Sequence, residues 1–143
     1  MTPQERAERS AAAMMENDRA SKWLGISVDS VGPGTATASF EVQDHHLNGH
    51  DVCHGGYIFT LADTAFAFAC NSYNQATLAQ NGTISFIAPG EKGERLIASA
   101  TEQSKAGRSG VYDVTVTGKD GRTVALFRGL SRSIKGQNFE ETP

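Results

Sequence analysis

Apolar and polar positions change rhythm three times along the chain. Residues 4–22 are rich in Ala, Glu, Arg and Met and contain no Gly or Pro. Ala7, Ala11, Met14 and Met15 recur at helical spacing, which predicts one helix with a modest apolar stripe. "GISVDSVGPGTATASFEVQ" then alternates on either side of a "VGPG" turn signal, predicting a hairpin over about residues 26–31 and 34–43. A polar stretch, "DHHLNGHDVCHGG", leads into an apolar run from Gly56 to Tyr73 that is long enough for a helix. After it the period becomes two. "GTISFIAPG" puts Ile84, Phe86 and Ala88 on one face. "ERLIASATEQ", "SGVYDVTVTG" and "RTVALFRGLSRSI" follow, punctuated by the turns "KAGRSG" and "GKDG", as expected of an antiparallel meander.

A hairpin, one long helix and four further strands make an α+β domain. The helix is apolar nearly all round, so it should be wrapped by the sheet rather than laid on a surface. Ala62, Ala65, Ala67 and Ala69 keep it thin enough for close contact with a curved sheet. The 143 residues fit a single domain, with 1–22 as an N-terminal helical segment and 135–143 as a flexible tail.

Composition narrows the partners. The net charge of -3 argues against a general nucleic-acid or anionic-membrane binder. No run of about 18 apolar residues suggests a membrane span, and the charged N-terminal stretch does not read as a signal peptide. Two cysteines, Cys53 and Cys70, are too few for a disulfide scaffold and lack zinc spacing. A soluble cytoplasmic protein is the expectation.

One residue interrupts the apolar helix. Asp63 is the only Asp, Glu, Lys, Arg or His between His54 and Glu91. Burying an unpartnered carboxylate is costly, so such a group is paired, hydrogen-bonded or raised in pKa. A structural acid held by backbone donors and a reacting acid are both open. The neighbours Leu61, Ala62, Ala65 and Phe66 offer no partner. At the head of the same helix, Gly55 and Gly56 fit a tight turn, and equally a place where unpaired N–H groups meet a developing oxyanion.

The predicted architecture is that of the hotdog fold, a sheet around a central helix. The stretches "LNGHDVCHGGYIFTLADTAFAFACN", "TISFIAPG", "GVYDVTVT" and "TVALFRG" resemble the PaaI-type thioesterases, the acyl-CoA hydrolases of phenylacetate degradation. The resemblance runs from about residue 14 to residue 134. It implies that Asp63 is the catalytic carboxylate, either attacking the thioester carbonyl or activating a water. It implies that the Gly55 N–H is the main oxyanion donor and that Asn48 and His54 lie near the substrate. It also implies an acyl-CoA substrate with an aryl-acetyl group, no cofactor beyond the substrate's own CoA, and a homodimer at least, arranged as a tetrameric dimer of dimers.

The remaining candidates carry two readings each. His45, His46, His50 and His54 crowd one loop with Asp51 and Cys53, but in no familiar zinc pattern. His45 and His46 are expected to be solvated and His50 to brace the loop; His54 braces it or meets the substrate. Phe66, Phe68, Phe86 and Tyr73 fit the core or the wall of an aromatic acyl pocket, with Phe66 and Phe86 assigned to the pocket. Lys105 and Arg108 are solvated turn charges or partners for the CoA phosphates. Two other functions use similar parts: a hydratase or dehydratase, in which His54 would supply the histidine that works with an acid in proton transfer, and a non-catalytic acyl-CoA-binding sensor or carrier.

Helix geometry adds a constraint. Asp63 lies seven residues beyond Gly56, roughly 10 Å along the axis. One thioester carbon cannot easily touch both ends. A shared site is therefore expected, with Asp63 from one subunit and Asn48, His54 and Gly55 from the other.

Overall fold

The structure is a computed structural model that describes residues 1–142. Helix α1 spans Pro3–Glu16 and α2 spans Arg19–Leu24. The single helix expected over residues 4–22 is thus broken in two. Asp18 causes the break: its carboxylate accepts the Ser21 N–H at 2.9 Å and the Ser21 hydroxyl at 2.6 Å, capping a new helix. The predicted hairpin is present as β1 (Ser27–Gly32) and β2 (Thr35–Glu41). After a 3-10 turn at Asp44–His46 comes α3 (Gly55–Cys70), then β3 (Thr77–Phe86), β4 (Arg95–Ala106), β5 (Ser109–Thr117) and β6 (Thr123–Ser133). β3 ends at Phe86, so Ala88 falls outside the strand.

All six strands form one antiparallel sheet in the order β1-β2-β4-β5-β6-β3. Period two sets its faces. Leu96, Ala98 and Ala100 of β4 and Tyr112, Val114 and Val116 of β5 turn inward onto α3. Phe40, Leu61 and Phe66 complete the centre of the core, where Phe66 packs on Tyr112 and Phe127. Phe66 is fully buried, so it is a core residue and not the pocket wall expected of it. Gly129 makes room for its ring: a Cβ there would stand 2.7 Å from Phe66 carbons.

The sheet does not cover α3 all round. Gly56, Phe59, Thr60, Asp63 and Ala67 lie outside the buried set and share one face at helical spacing. Beside them β3 is an edge strand, exposing Phe86 and, farther along, Leu78. The C-terminal segment, expected to be flexible, is docked. Asn138 donates to Ser10 Oγ at 2.7 Å and to Asn71 Oδ1 at 3.1 Å, and Arg6 pairs with Glu141 at 2.7 Å.

Gly129→Ala is expected to fold with a loss of about 1–3 kcal/mol, because the Cβ overpacks against Phe66. Urea unfolding checks this, and unchanged stability would mean the ring relaxes freely.

Candidate active site

Helix α3 begins at Gly55 because His54 caps it. The His54 carbonyl accepts the Tyr57 N–H at 3.0 Å and the Ile58 N–H at 3.3 Å, and its Nδ1 accepts the Gly56 N–H at 2.9 Å. With Nδ1 an acceptor, a neutral His54 ring carries its proton on Nε2. The cap leaves the Gly55 N–H without a partner among the described residues. That donor stands at the positive end of a 16-residue helix. The Phe86 ring lies against Gly55, where a Cβ would come within 3.0 Å of it. Phe86, Ile58 and Pro89 wall a shallow cleft of about 260 Å³ that includes Gly55.

The preceding loop is stapled. Leu47 and Cys53 form an isolated antiparallel bridge, and the Asn48 N–H donates to the Val52 carbonyl at 2.8 Å. Asn48 Oδ1 accepts the N–H groups of His50 at 2.9 Å and Val52 at 3.4 Å. These donors fix the amide, so Nδ2 is its free donor among the described residues. His50 therefore braces through its backbone and not its ring. His45 is exposed as expected, whereas His46 is 1% exposed and not solvated. Its ring sits edge-on to Phe40 and Tyr57, with centroids 4.8 and 5.4 Å away. Burial pushes its pKa below the ordinary histidine value.

Asp63 lies half-buried on the uncovered face of α3. Burial alone raises its pKa, and no cation or hydrogen-bond donor among the described residues offsets it. The acid and the Gly55 N–H are eight residues apart, roughly 12 Å along one rigid helix. A single chain thus presents an unpaired acid and an unpaired donor, but does not bring them together.

Lys105 and Arg108 lie elsewhere, in a groove of about 520 Å³ at the far end of α3. Lys105 Nζ stands 4.5 Å above the Tyr73 ring, and Arg108 donates to the Ser133 carbonyl at 3.2 Å. Lys135 and Gln75 join them, and no lining side chain is acidic. Sequence reading missed Lys135, which lay in the segment expected to be flexible.

The chain matches the family described as Thioesterase superfamily over residues 50–125, the stretch from the stapled loop through α3 to β6. It belongs to the thioesterase superfamily. It is 46% identical over 131 residues to Escherichia coli (strain K12) "Acyl-coenzyme A thioesterase PaaI", covering 92% of this chain and 94% of that one. The solved structure of the E. coli PaaI protein from the phenylacetic acid degradation operon superposes with a TM-score of 0.93 at 44% identity, covering 95% of this chain and 99% of that one. A mutant of the phenylacetic acid degradation protein PaaI from Thermus thermophilus gives 0.79 at 34% identity, covering 82% and 100%. The fold is the hotdog fold that the sequence led us to expect.

Thioesterases need a nucleophile or a base, and the cysteines supply neither. Burial and nearby Glu94 push the Cys53 thiol up to about 11, and burial with nearby Asp63 pushes Cys70 up to about 12. Both stay protonated and inert near neutrality. Among the described residues no three His, Cys, Asp or Glu side chains gather as a metal site. Asp63 is the carboxylate that α3 carries on its open face.

An acid with a raised folded pKa binds its proton more tightly in the native state than in the unfolded chain. Native stability then falls as pH climbs from the ordinary carboxylate range through the raised value. Asp63→Asn is therefore expected to equal or exceed the wild type in stability near neutrality. The two should converge below about pH 4. The variant should keep its fold and lose nearly all thioester hydrolysis. Urea unfolding across pH and a hydrolysis assay check both; a variant that unfolds would make the carboxylate structural.

Proposed function

We propose that the chain hydrolyses aryl-acetyl-CoA thioesters, of the phenylacetyl-CoA or hydroxyphenylacetyl-CoA type, to the free acid and CoA. The observation that carries this is the pairing of one uncompensated acid on an open helix face with one unpaired N–H at a helix head. The likeness to a curated acyl-CoA thioesterase supports the substrate class.

In this reading two copies place their α3 helices antiparallel, so that Asp63 of one faces the helix head of the other. The thioester oxygen accepts the Gly55 N–H. Asn48 Nδ2 and His54 lie beside it, and Gly56 keeps the approach clear. Asp63 delivers the nucleophile, either by attacking the carbonyl itself or by deprotonating a water that does. Its raised pKa makes it a stronger base than an ordinary aspartate. The tetrahedral oxyanion is held by the Gly55 donor, an effect of about 2.7–4 kcal/mol in comparable sites. Collapse of the intermediate expels the CoA thiolate, which takes up the proton that Asp63 drew from water; where Asp63 itself attacked, water then cleaves the acyl-aspartyl anhydride, releasing the free acid and restoring the carboxylate.

The rest of the CoA follows from the same placement. Cys70, at the rim of the cationic groove, is seven residues beyond Asp63, roughly 10 Å along α3. A pantetheine arm, comparable to four or five peptide units, reaches roughly 15 Å. Lys105 and Arg108, with Lys135, then meet the phosphates on the subunit that supplies Asp63. Phe86 of the other subunit walls the acyl side. The enzyme works as a homotetramer, a dimer of dimers, whose contacts cover the exposed edge at β3 and the apolar Leu126 and Leu130 on β6. Its two free, buried cysteines suit a reducing cytoplasm.

One experiment tests function and sharing together. Wild-type protein with phenylacetyl-CoA and a thiol reagent should release CoA over many turnovers, which a passive binder does not do. Asp63→Ala and Asn48→Ala, each inactive alone, are then unfolded and refolded as a mixture. If the Asn variant keeps activity, Gly55→Val replaces it. Random pairing makes about half the dimers hybrid, each with one intact site, so about one quarter of wild-type activity should return. A mixture that stays inactive despite confirmed subunit exchange would remove the shared site.

A further inference from the structure

We infer that His46 is a positioning residue for the oxyanion donor, acting through the cap of α3. This rests on the reading of the Gly55 N–H as that donor. His46 holds three segments at once. Its Nδ1 accepts the Gln43 N–H at 2.9 Å, which closes the turn leaving β2. Its other ring nitrogen, Nε2, then carries the proton and donates to the Leu24 carbonyl at 3.2 Å, at the end of α2. Its own carbonyl accepts the His54 N–H at 2.8 Å.

His54 is in turn the cap whose Nδ1 occupies the Gly56 N–H and whose carbonyl starts the helix. The direction of the Gly55 N–H is therefore set by a chain of contacts that begins at the His46 ring. That ring is buried against Phe40 and Tyr57, so it cannot drift while its bonds remain. It never reaches the substrate. The same His46 carbonyl precedes Leu47 and Asn48, so the amide donor of Asn48 sits on the loop that His46 anchors.

The test compares His46→Phe, His46→Asn and His50→Phe. Phenylalanine keeps an aromatic ring in the pocket but loses both ring bonds. Asparagine keeps an acceptor for the Gln43 N–H. His50 is exposed and serves as the control. His46→Phe should lower kcat about 10- to 100-fold with KM little changed, because a shifted donor costs the transition state more than the ground state. His46→Asn should recover most of that loss, and His50→Phe should behave as wild type. The readout independent of catalysis is the amide spectrum: the Gly55 and Gly56 N–H resonances should move in His46→Phe and stay near wild-type positions in His46→Asn. Unmoved resonances, or equal losses of kcat in the Phe and Asn variants, overturn the proposal. If His46→Phe does not fold, His46→Gln replaces it, since its terminal amide stands near the Nε2 position facing Leu24 and leaves the nearer Nδ1 position without an acceptor for the Gln43 N–H; the proposal then requires Asn to outperform Gln in kcat. Moved resonances with no hydrolysis by the wild type would retain the positioning chain and defeat the functional reading beneath it.

Discussion

A rigid helix separates the two groups on which everything else turns. α3 fixes Asp63 eight residues from Gly55, and no rotamer of an aspartate spans that gap. The sheet holds the helix on its buried sides through Leu61, Phe66 and their neighbours, so the helix cannot bend to close it. In the proposed site the two groups therefore form two half-sites, each unfinished within one chain. One half is an acid without a counter-charge among the described residues. The other is a donor without an acceptor. Asp63 lies half-buried on the face that the sheet leaves bare, and Gly55 lies at the helix head beside Phe86.

Each half owes its state to a different kind of preparation. The acid is tuned by subtraction: partial burial removes water and no donor or cation among the described residues replaces it, so its proton is held more tightly. The donor is tuned by addition. His54 takes up the neighbouring Gly56 N–H, and the bonds from His46 and Val52 hold the loop that carries His54 and Asn48. Loss of one polar contact in the loop would thus disturb direction, whereas gain of one near Asp63 would disturb reactivity.

Much of this was legible in the residues. The apolar run of α3, the period-two strands and the glycine pair at the helix head are local signals, and local propensity agreed with the final fold there. Asp63 stood out because it was alone. The errors about burial share a cause, which is that burial is decided by distant partners. His46 looks solvated in a run of polar residues, and its ring is buried by Phe40, Tyr57 and the end of α2, 22 residues away. Phe66 and Phe86 are alike in sequence, but one faces the sheet's centre and the other is exposed at the end of an edge strand. The break before α2 was readable in principle, because Asp18 and Ser21 have cap spacing.

The docked C-terminal strap has a consequence for how the chain is made. Arg6 and Glu141 are 135 positions apart, and contacts of that span are among the last that loop closure permits. At about 5–20 residues per second, translation leaves α1 waiting on the order of ten seconds for its clasp. During that interval α1 rests on β1 through Ala11, Met14 and Met15 and is held by the bonds from Gln4 to the Val31 carbonyl and from Ser10 to the Asn71 carbonyl, without the ion pair to Glu141. The final stitch then falls near Asn71 and Asn74, just past the end of α3. The loop around Gly55, at the opposite end, draws its bonds from residues 24–90 and can be set while the ribosome is still extending the chain.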